Sequence, residues 1–208
     1  MIKLIIFDFD GTIVDTKAVY YTSINKHLNP LGFNRREIDK AIDLGLNLAE
    51  TIKKFVPSII YSWWIKKKIM KDVLVEVNNI KKCRDVGSIK GIKTRKILIS
   101  NSLSDFVIPI LKHLKIKNFF DEIYYAEEFD DKADFIRNYL KKRNINSKHV
   151  IYVGDRAADA GVAKEAGCLS VIITGKCAWD GRKELIRAEP DFMINDLAEL
   201  KEIVNRLR

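Results

Sequence analysis

The chain reads as an α/β protein: a Rossmann-like parallel sheet with helices on both faces, plus a small all-helical cap inserted after the first strand. Three observations predict this class. Apolar, β-rich runs such as Leu4-Ile5-Ile6 and Val150-Ile151-Tyr152-Val153 lack the alternation of a half-exposed strand, so they belong to strands buried on both sides. From Lys96 onward such runs alternate with amphipathic helical stretches, the pattern of β-α-β crossovers. Between the first strand and Lys96 the pattern is helical throughout, so that stretch is an insertion into the α/β unit.

The elements follow in order. After the opening strand, Asp15 to Leu28 is the first predicted helix. Asn34 with Glu37 has capping-box spacing before Ile38, Ala41 and Ile42, and Gly45 suits the end of that helix. Asn47 and Glu50 repeat the spacing before Ile52, Phe55 and Val56, and Pro57 stops the run. A longer helix is expected from about Ile59 to Val77. Strands are then predicted at 97–100, 123–126, 150–153, 170–174 and 192–194, with helices at 105–114, 132–142, 159–166 and from there to the end. Pro109 inside the first of these helices implies a kink or a later helix start.

At 208 residues the chain can bury a sizeable core and suits one domain with an insertion or two small domains. The hydrophobic share of 47% beside a charged share of 31% indicates a soluble globular protein, and no apolar stretch approaches the ~20 residues that span a bilayer. Met1-Ile2-Lys3-Leu4 starts like a leader, but Asp8 and Asp10 interrupt it, so a cytoplasmic location and no membrane partner are expected. Cys83, Cys168 and Cys177 are an odd number at irregular spacing, which supports neither a disulfide framework nor a zinc site; reduced, mostly buried thiols are expected. The net charge of +9 permits attraction to phosphates or nucleic acid without requiring it. In Trp63 to Val77 the apolar residues keep helical spacing and Lys66, Lys67, Lys68 and Lys71 largely fall on other faces, so solvation is the preferred reading of that charge.

The chemistry is concentrated at strand ends, where open α/β sheets place their sites. Phe7-Asp8-Phe9-Asp10-Gly11-Thr12 follows the first strand, and alternation puts Asp8 and Asp10 on one side with Phe9 opposed. Paired carboxylates in one small volume point to acid/base work, a metal, or both. A helix-flanked calcium loop would need further oxygen ligands, and Ile13 and Val14 follow instead. Ser100-Asn101 ends a second strand and Gly154-Asp155 a third, with Asp159 one helical turn on. Two like charges ~4 Å apart repel by about 4 kcal/mol at an effective dielectric of 20, so convergence of these acids calls for a divalent cation. An all-oxygen set without His or Cys favours Mg²⁺ over zinc. Lys132, opening a helix after Glu127, Glu128, Asp130 and Asp131, could be a solvated charge or could, with Ser100, meet phosphoryl oxygens.

Together these pieces resemble the haloacid dehalogenase-like superfamily of phosphohydrolases, over nearly the whole chain. Asp8-Phe9-Asp10-Gly11-Thr12 matches its first motif, Ile97 to Asn101 its second, Lys132 its third, and Gly154-Asp155 with Asp159 its fourth. The helical insertion resembles the small cap of the phosphoglycolate phosphatase-like subgroup, which implies a core over 1–14 and 85–208 and a cap over 15–84. The resemblance implies that Asp8 is the nucleophile forming an aspartyl-phosphate and that Asp10 protonates the leaving group and then activates water. It implies Mg²⁺ on Asp8, the Asp10 carbonyl and Asp155, with Asp159 orienting that set. Gly11, Thr12, Ser100, Asn101 and Lys132 would hold the phosphate. The implied activity is hydrolysis of a small phosphorylated metabolite, by a monomer or homodimer.

Asp at position 10 disfavours the dehalogenase and phosphonatase branches. A sugar phosphomutase keeps both acids, but Leu46, Asn47 and Leu48 stand where a mutase tends to carry a basic cap residue. A phosphatase of nucleic-acid ends is disfavoured by the acidic run beside Lys132, and a non-catalytic binding protein by the retention of all four motifs. Ala133 follows Lys132 where the subgroup commonly has proline, and Arg156 stands where a small hydroxyl residue is frequent. Tyr20, Tyr21, Asn47, Trp63 and Trp64 could contribute to cap specificity, but cap packing is the preferred reading of each. The cap's return lies somewhere between Lys81 and Arg95.

Overall fold

The computed structural model describes residues 1–42 and 48–207. Strand β1 (Leu4–Phe7) is followed by a tight turn and the two-residue strand β2 (Val14–Asp15). Helices α1 (Lys17–Leu28), α2 (Arg35–Ile42), α3 (Leu48–Phe55) and α4 (Ile59–Val75) come next, and β3 (Lys81–Lys82) returns the chain to the sheet. The rest alternates: β4 (Arg95–Ile99), α5 (Ser104–His113), β5 (Glu122–Tyr124), α6 (Lys132–Lys142), β6 (Val150–Gly154), α7 (Ala157–Ala166), β7 (Leu169–Ile173), α8 (Arg182–Arg187), β8 (Phe192–Ile194) and α9 (Leu200–Arg206).

Six strands form one sheet in the order β5-β4-β1-β6-β7-β8. Every pairing in it is parallel, with Leu4 opposite Arg95 on one side and Val150 on the other. Because side chains alternate along a strand, the central strands feed two apolar layers. Ile5, Phe7, Leu98, Ile151 and Val153 join Phe106, Ile110, Leu200 and Ile203 of α5 and α9 in one. Leu4, Ile6, Ile97, Ile99 and Val150 join Ile136 and Leu140 of α6 and Ala163 of α7 in the other. The α/β class with helices on both faces is the observed architecture.

Strands β2 and β3 pair antiparallel, Val14 opposite Lys82 and Asp15 opposite Lys81, so the outgoing and returning chains cross side by side. The return sits at the start of the interval left open by the sequence. Within the insertion, the Asn34 amide donates to Glu37 Oε2 and the Glu37 amide to Asn34 Oδ1, both at 3.0 Å, as the capping-box spacing predicts. Gly45 and Asn47 lie outside the described residues. Ile24, Leu28, Ile38, Ile52, Ile65 and Ile69 of these four helices are buried in the same apolar cluster as the sheet face beneath them.

Four expectations are corrected. Helix α5 runs through Pro109 and starts one residue earlier than expected, not later; Pro109 is exposed, so water can satisfy the carbonyl that its missing N–H would have met. Helix α4 ends at Val75, two residues short. Trp63 and Trp64 are exposed rather than cap core, because the buried stripe of α4 is Ser62, Ile65, Ile69 and Val73. Cys83 and Cys177 form a disulfide with Cα atoms 5.9 Å apart, and Cys168 is free and buried. Their separation of 94 residues carries no local signal; the fold joins the chain after β3 to the loop after β7. Among the described residues, no helix is long and apolar enough to cross a membrane.

Candidate active site

The carboxyl ends of β1, β4 and β6, three adjacent central strands, converge above the sheet. The Asp8 amide still donates to the Val153 carbonyl, 2.8 Å away, so this side chain is aimed by the sheet itself. The chain then folds back, with the Ile13 and Val14 amides both donating to the Phe9 carbonyl. Gly11 makes that turn with φ +77°, and a Cβ there would lie 2.2 Å from Asp155 Oδ2. Glycine is therefore required by both conformation and space.

Strand β6 delivers Asp155, which is fully buried. Its Oδ1 accepts from the Thr12 hydroxyl at 3.0 Å and its Oδ2 from the Trp179 amide at 2.7 Å. Asp159, one turn into α7, uses Oδ2 to accept the Asp155 and Arg156 amides at 3.1 and 3.0 Å and Oδ1 to accept the Tyr152 hydroxyl at 3.0 Å. It thereby fixes the loop that carries Asp155. Gly154 permits this, since a Cβ there would sit 2.3 Å from Asp159 Cγ.

Lys132 opens α6 behind the N-cap Asp131, whose side chain accepts the Asp134 amide at 2.7 Å. It is not a solvated charge. Its side chain is 5% exposed, and its Nζ lies 2.6 Å from Asp8 Oδ1 and 3.1 Å from the Tyr152 hydroxyl oxygen. Ser100 is buried at the end of β4, its Oγ accepting the Ser102 amide at 3.0 Å, while Asn101 beside it is exposed. Asp10 turns away from the other acids: Thr16 Oγ1 and Ser102 Oγ donate to its two oxygens, each at 2.7 Å.

Burial dominates the electrostatics. It pushes the Asp8 carboxyl up to about 7, with the Lys132 charge opposing and Asp159 reinforcing the rise. Burial likewise holds Asp155 well above the usual carboxylate range, with Asp159 and Asp8 adding to the effect. Asp10 is raised by burial against the hydrogen bonds from Ser102 and Thr16. Burial disfavours the charge of Lys132, yet Asp8 and Asp159 more than offset this and its pKa is raised. One ammonium thus faces the carboxylates of Asp8, Asp159 and Asp10.

Among the described residues, Asp8, Asp155 and Asp159 each present a carboxylate oxygen with all three atoms within 4.8 Å of one another. The donors are hard oxygens, and a dication would relieve the surplus negative charge, so the set fits Mg²⁺. Asp159 already accepts three hydrogen bonds and Asp155 two, while one oxygen of Asp8 takes the Lys132 ammonium.

Sequence reasoning missed several members of the site. Ser102 and Thr16 hold Asp10, and Tyr152 bridges Lys132 to Asp159 from what reads as a plain core strand. The 175–181 loop is the largest omission. Its Trp179 amide holds Asp155, its Asp180 accepts Arg156 Nε at 3.1 Å and the Ala157 amide at 2.8 Å, and its Ala178 and Trp179 carbonyls accept Lys17 Nζ at 3.4 and 2.8 Å. Tyr20 packs edge-on against Trp179 and Phe106, walling this side of the site.

Comparison with known proteins agrees with this architecture. The haloacid dehalogenase-like hydrolase family model matches residues 5–173. A Vibrio cholerae phosphoglycolate phosphatase is 23% identical over 98% of this chain and 97% of its own length. The Bacillus pumilus pyrophosphatase PpaX is 26% identical over 98% and 96%. Among solved structures, a haloacid dehalogenase-like family hydrolase from Streptococcus pneumoniae superposes with a TM-score of 0.83 at 19% identity, covering 97% of this chain and 98% of that one. The family model spans all four sequence motifs and the strands that carry them, and the chain belongs to the haloacid dehalogenase-like hydrolase family.

Proposed function

We propose that the protein is a Mg²⁺-dependent phosphatase that hydrolyses a small phosphomonoester through an aspartyl-phosphate on Asp8. The observation that carries this reading is the buried pairing of Asp8 with Lys132 beside Asp155 at the ends of three central strands. An ionised Asp8 oxygen attacks phosphorus in line, and Asp10 gives a proton to the departing alcohol. Asp10 then takes a proton from the water that attacks the acyl phosphate. Lys132, the Ser100 hydroxyl and the amides of Gly11, Thr12 and Asn101 meet the charge on the transferring group. Asp8, the Asp10 carbonyl and Asp155 would hold Mg²⁺, which supplies further neutralisation of phosphoryl charge.

In the same reading residues 15–84 act as a cap that closes over the leaving group and excludes water, hinged at the β2–β3 ladder. The names of the relatives support phosphoglycolate as the first ester to try and make inorganic pyrophosphate a required comparison. Small phosphorylated metabolites are intracellular, which supports a cytoplasmic site of action. The test is release of inorganic phosphate from a panel of such esters with Mg²⁺ and with EDTA, for wild type, Asp8→Asn and Asp10→Asn. Wild type is expected to turn over with Mg²⁺ alone, Asp10→Asn to lose about 10²–10⁴-fold, and Asp8→Asn to fall to background and take up no acid-stable phosphate. Equal background for all three proteins would refute the reading.

A further inference from the structure

The outward face of α4 has a composition that water alone does not explain. With Ser62, Ile65, Ile69 and Val73 turned inward, the helical repeat of 100° per residue puts Ile60, Trp63, Trp64, Lys67, Lys71 and Leu74 on the opposite side. Of its apolar members Ile60 is 82% exposed, Trp63 60%, Trp64 44% and Leu74 37%, and Ile59 and Val75 at the two ends of the helix are 77% and 73% exposed. The lysines are interleaved with the rings, Lys68 Nζ lying 3.6 Å from the Trp64 ring centroid and Lys67 Nζ 5.3 Å from that of Trp63. The one acid of α4, Asp72, is engaged elsewhere by Lys26 and His27 at 2.7 and 2.9 Å. A groove of about 540 Å³ continues the face toward the core, between Trp64, Met70 and Leu74 of α4 and Leu103 and Phe106 around the start of α5; Asp105 is its one acid against Lys67, Lys68 and Lys71.

We propose that this face docks on the surface of an anionic phospholipid bilayer. Residues 15–84 hold 14 Lys and Arg against 7 Asp and Glu, so a third of the chain carries most of the net +9. Lysines near a negatively charged leaflet are attracted to it, and tryptophans settle at the headgroup level with aliphatic neighbours just below. A second copy of this chain is a poor occupant, because it would bring Lys67, Lys68 and Lys71 against their own counterparts. A nucleic acid would match the lysines and rings but leave Ile59, Ile60, Leu74 and Val75 in water. Helix α4 is too short and too charged to span a bilayer, so the contact is peripheral. The proposal departs from the expectation of no membrane partner and stands apart from the hydrolase chemistry.

The test is co-sedimentation of the full chain with vesicles of phosphatidylcholine alone or with one third phosphatidylglycerol. Binding is expected to the anionic vesicles at low salt, with release as salt is raised. Lys67→Gln, Lys68→Gln and Lys71→Gln combined should weaken it about a hundredfold, at roughly fivefold per lysine. Ile60→Ser with Trp63→Ser should weaken it at least about tenfold at any salt, with the circular dichroism and melting temperature of wild type. The proposal is overturned by absence of binding to anionic vesicles, equal binding to neutral ones, or full affinity in either folded variant. It is also overturned if single-stranded RNA binds where vesicles do not, or if the face instead supports a dimer that the Ile60 and Trp63 substitutions dissolve.

Discussion

Replacing Lys132 by methionine, which keeps the length of the side chain and deletes its charge, should destabilise the protein more at pH 8 than at pH 5, by about 1.4 kcal/mol. Asp8 has a folded-state pKa of about 7 against 3.8 when unperturbed, so at pH 8 roughly nine in ten Asp8 side chains are ionised and at pH 5 about one in a hundred. At pH 8 the substitution also removes the partner, 2.6 Å away, that favours an ionised Asp8; keeping the acid protonated about one pH unit above its wild-type value of about 7 adds ~1.4 kcal/mol, for a total loss of about 2–3 kcal/mol. At pH 5 the acid is already neutral, and the loss is that of the hydrogen bonds to Asp8 and Tyr152, about 1 kcal/mol after relief of the buried ammonium. The sign follows from proton uptake. A carboxyl whose folded pKa is raised contributes stability below 3.8 and loses it as pH rises through 7, and removing Lys132 raises that pKa further. At ~2–4 °C per kcal/mol for a chain of this size, the melting temperature should drop about 4–12 °C at pH 8 and about 2–4 °C at pH 5, by calorimetry in EDTA. Equal drops at the two pH values would refute the buried ion pair.

The same acids govern the response to metal. Because Asp8 and Asp155 are both raised by burial, Mg²⁺ should raise the melting temperature of the wild-type protein at pH 8 and much less at pH 5, where protons hold the ligands; a pH-independent rise would argue against these ligands. Gly11→Ala should lower Mg²⁺ affinity at least about tenfold in calorimetric titration, since its Cβ would press on Asp155 Oδ2 from a strained φ. Wild-type affinity would show that Asp155 is not a ligand. Reducing the Cys83–Cys177 bond, or Cys177→Ser, should cost up to about 4.7 kcal/mol in urea unfolding, from release of a loop closed across 94 residues. An unchanged midpoint with and without reductant would show that the bridge does not form in solution.

Much of the fold and the centre of the site could be read from the chain because the relevant signals are local. An apolar strand ending in Asp8-Phe9-Asp10-Gly11, and another ending in Gly154-Asp155, state their geometry within a few residues. Lys132 needed more: its helix start was visible, but only the fold shows that α6 begins 2.6 Å from Asp8. What escaped was non-local. Trp179 acts through its main-chain amide, which no residue identity announces. Tyr152 looks like any core residue of β6, and Cys83 and Cys177 are paired by topology alone. Trp63 and Trp64 are exposed because the phase of α4, with Ser62, Ile65, Ile69 and Val73 inward, decides burial residue by residue.

The two hydroxyls on Asp10 come from either side of the helical insert: Thr16 stands at its foot and Ser102 follows strand β4 of the sheet. Swinging the insert about its two-strand stem would pull one fingertip from the carboxyl while the other stayed put. If Asp10 carries the proton and the insert closes as proposed, that carboxyl would be a latch that senses whether the clamshell is open. Recognition of a guest and release of the acid would then be one mechanical event rather than two.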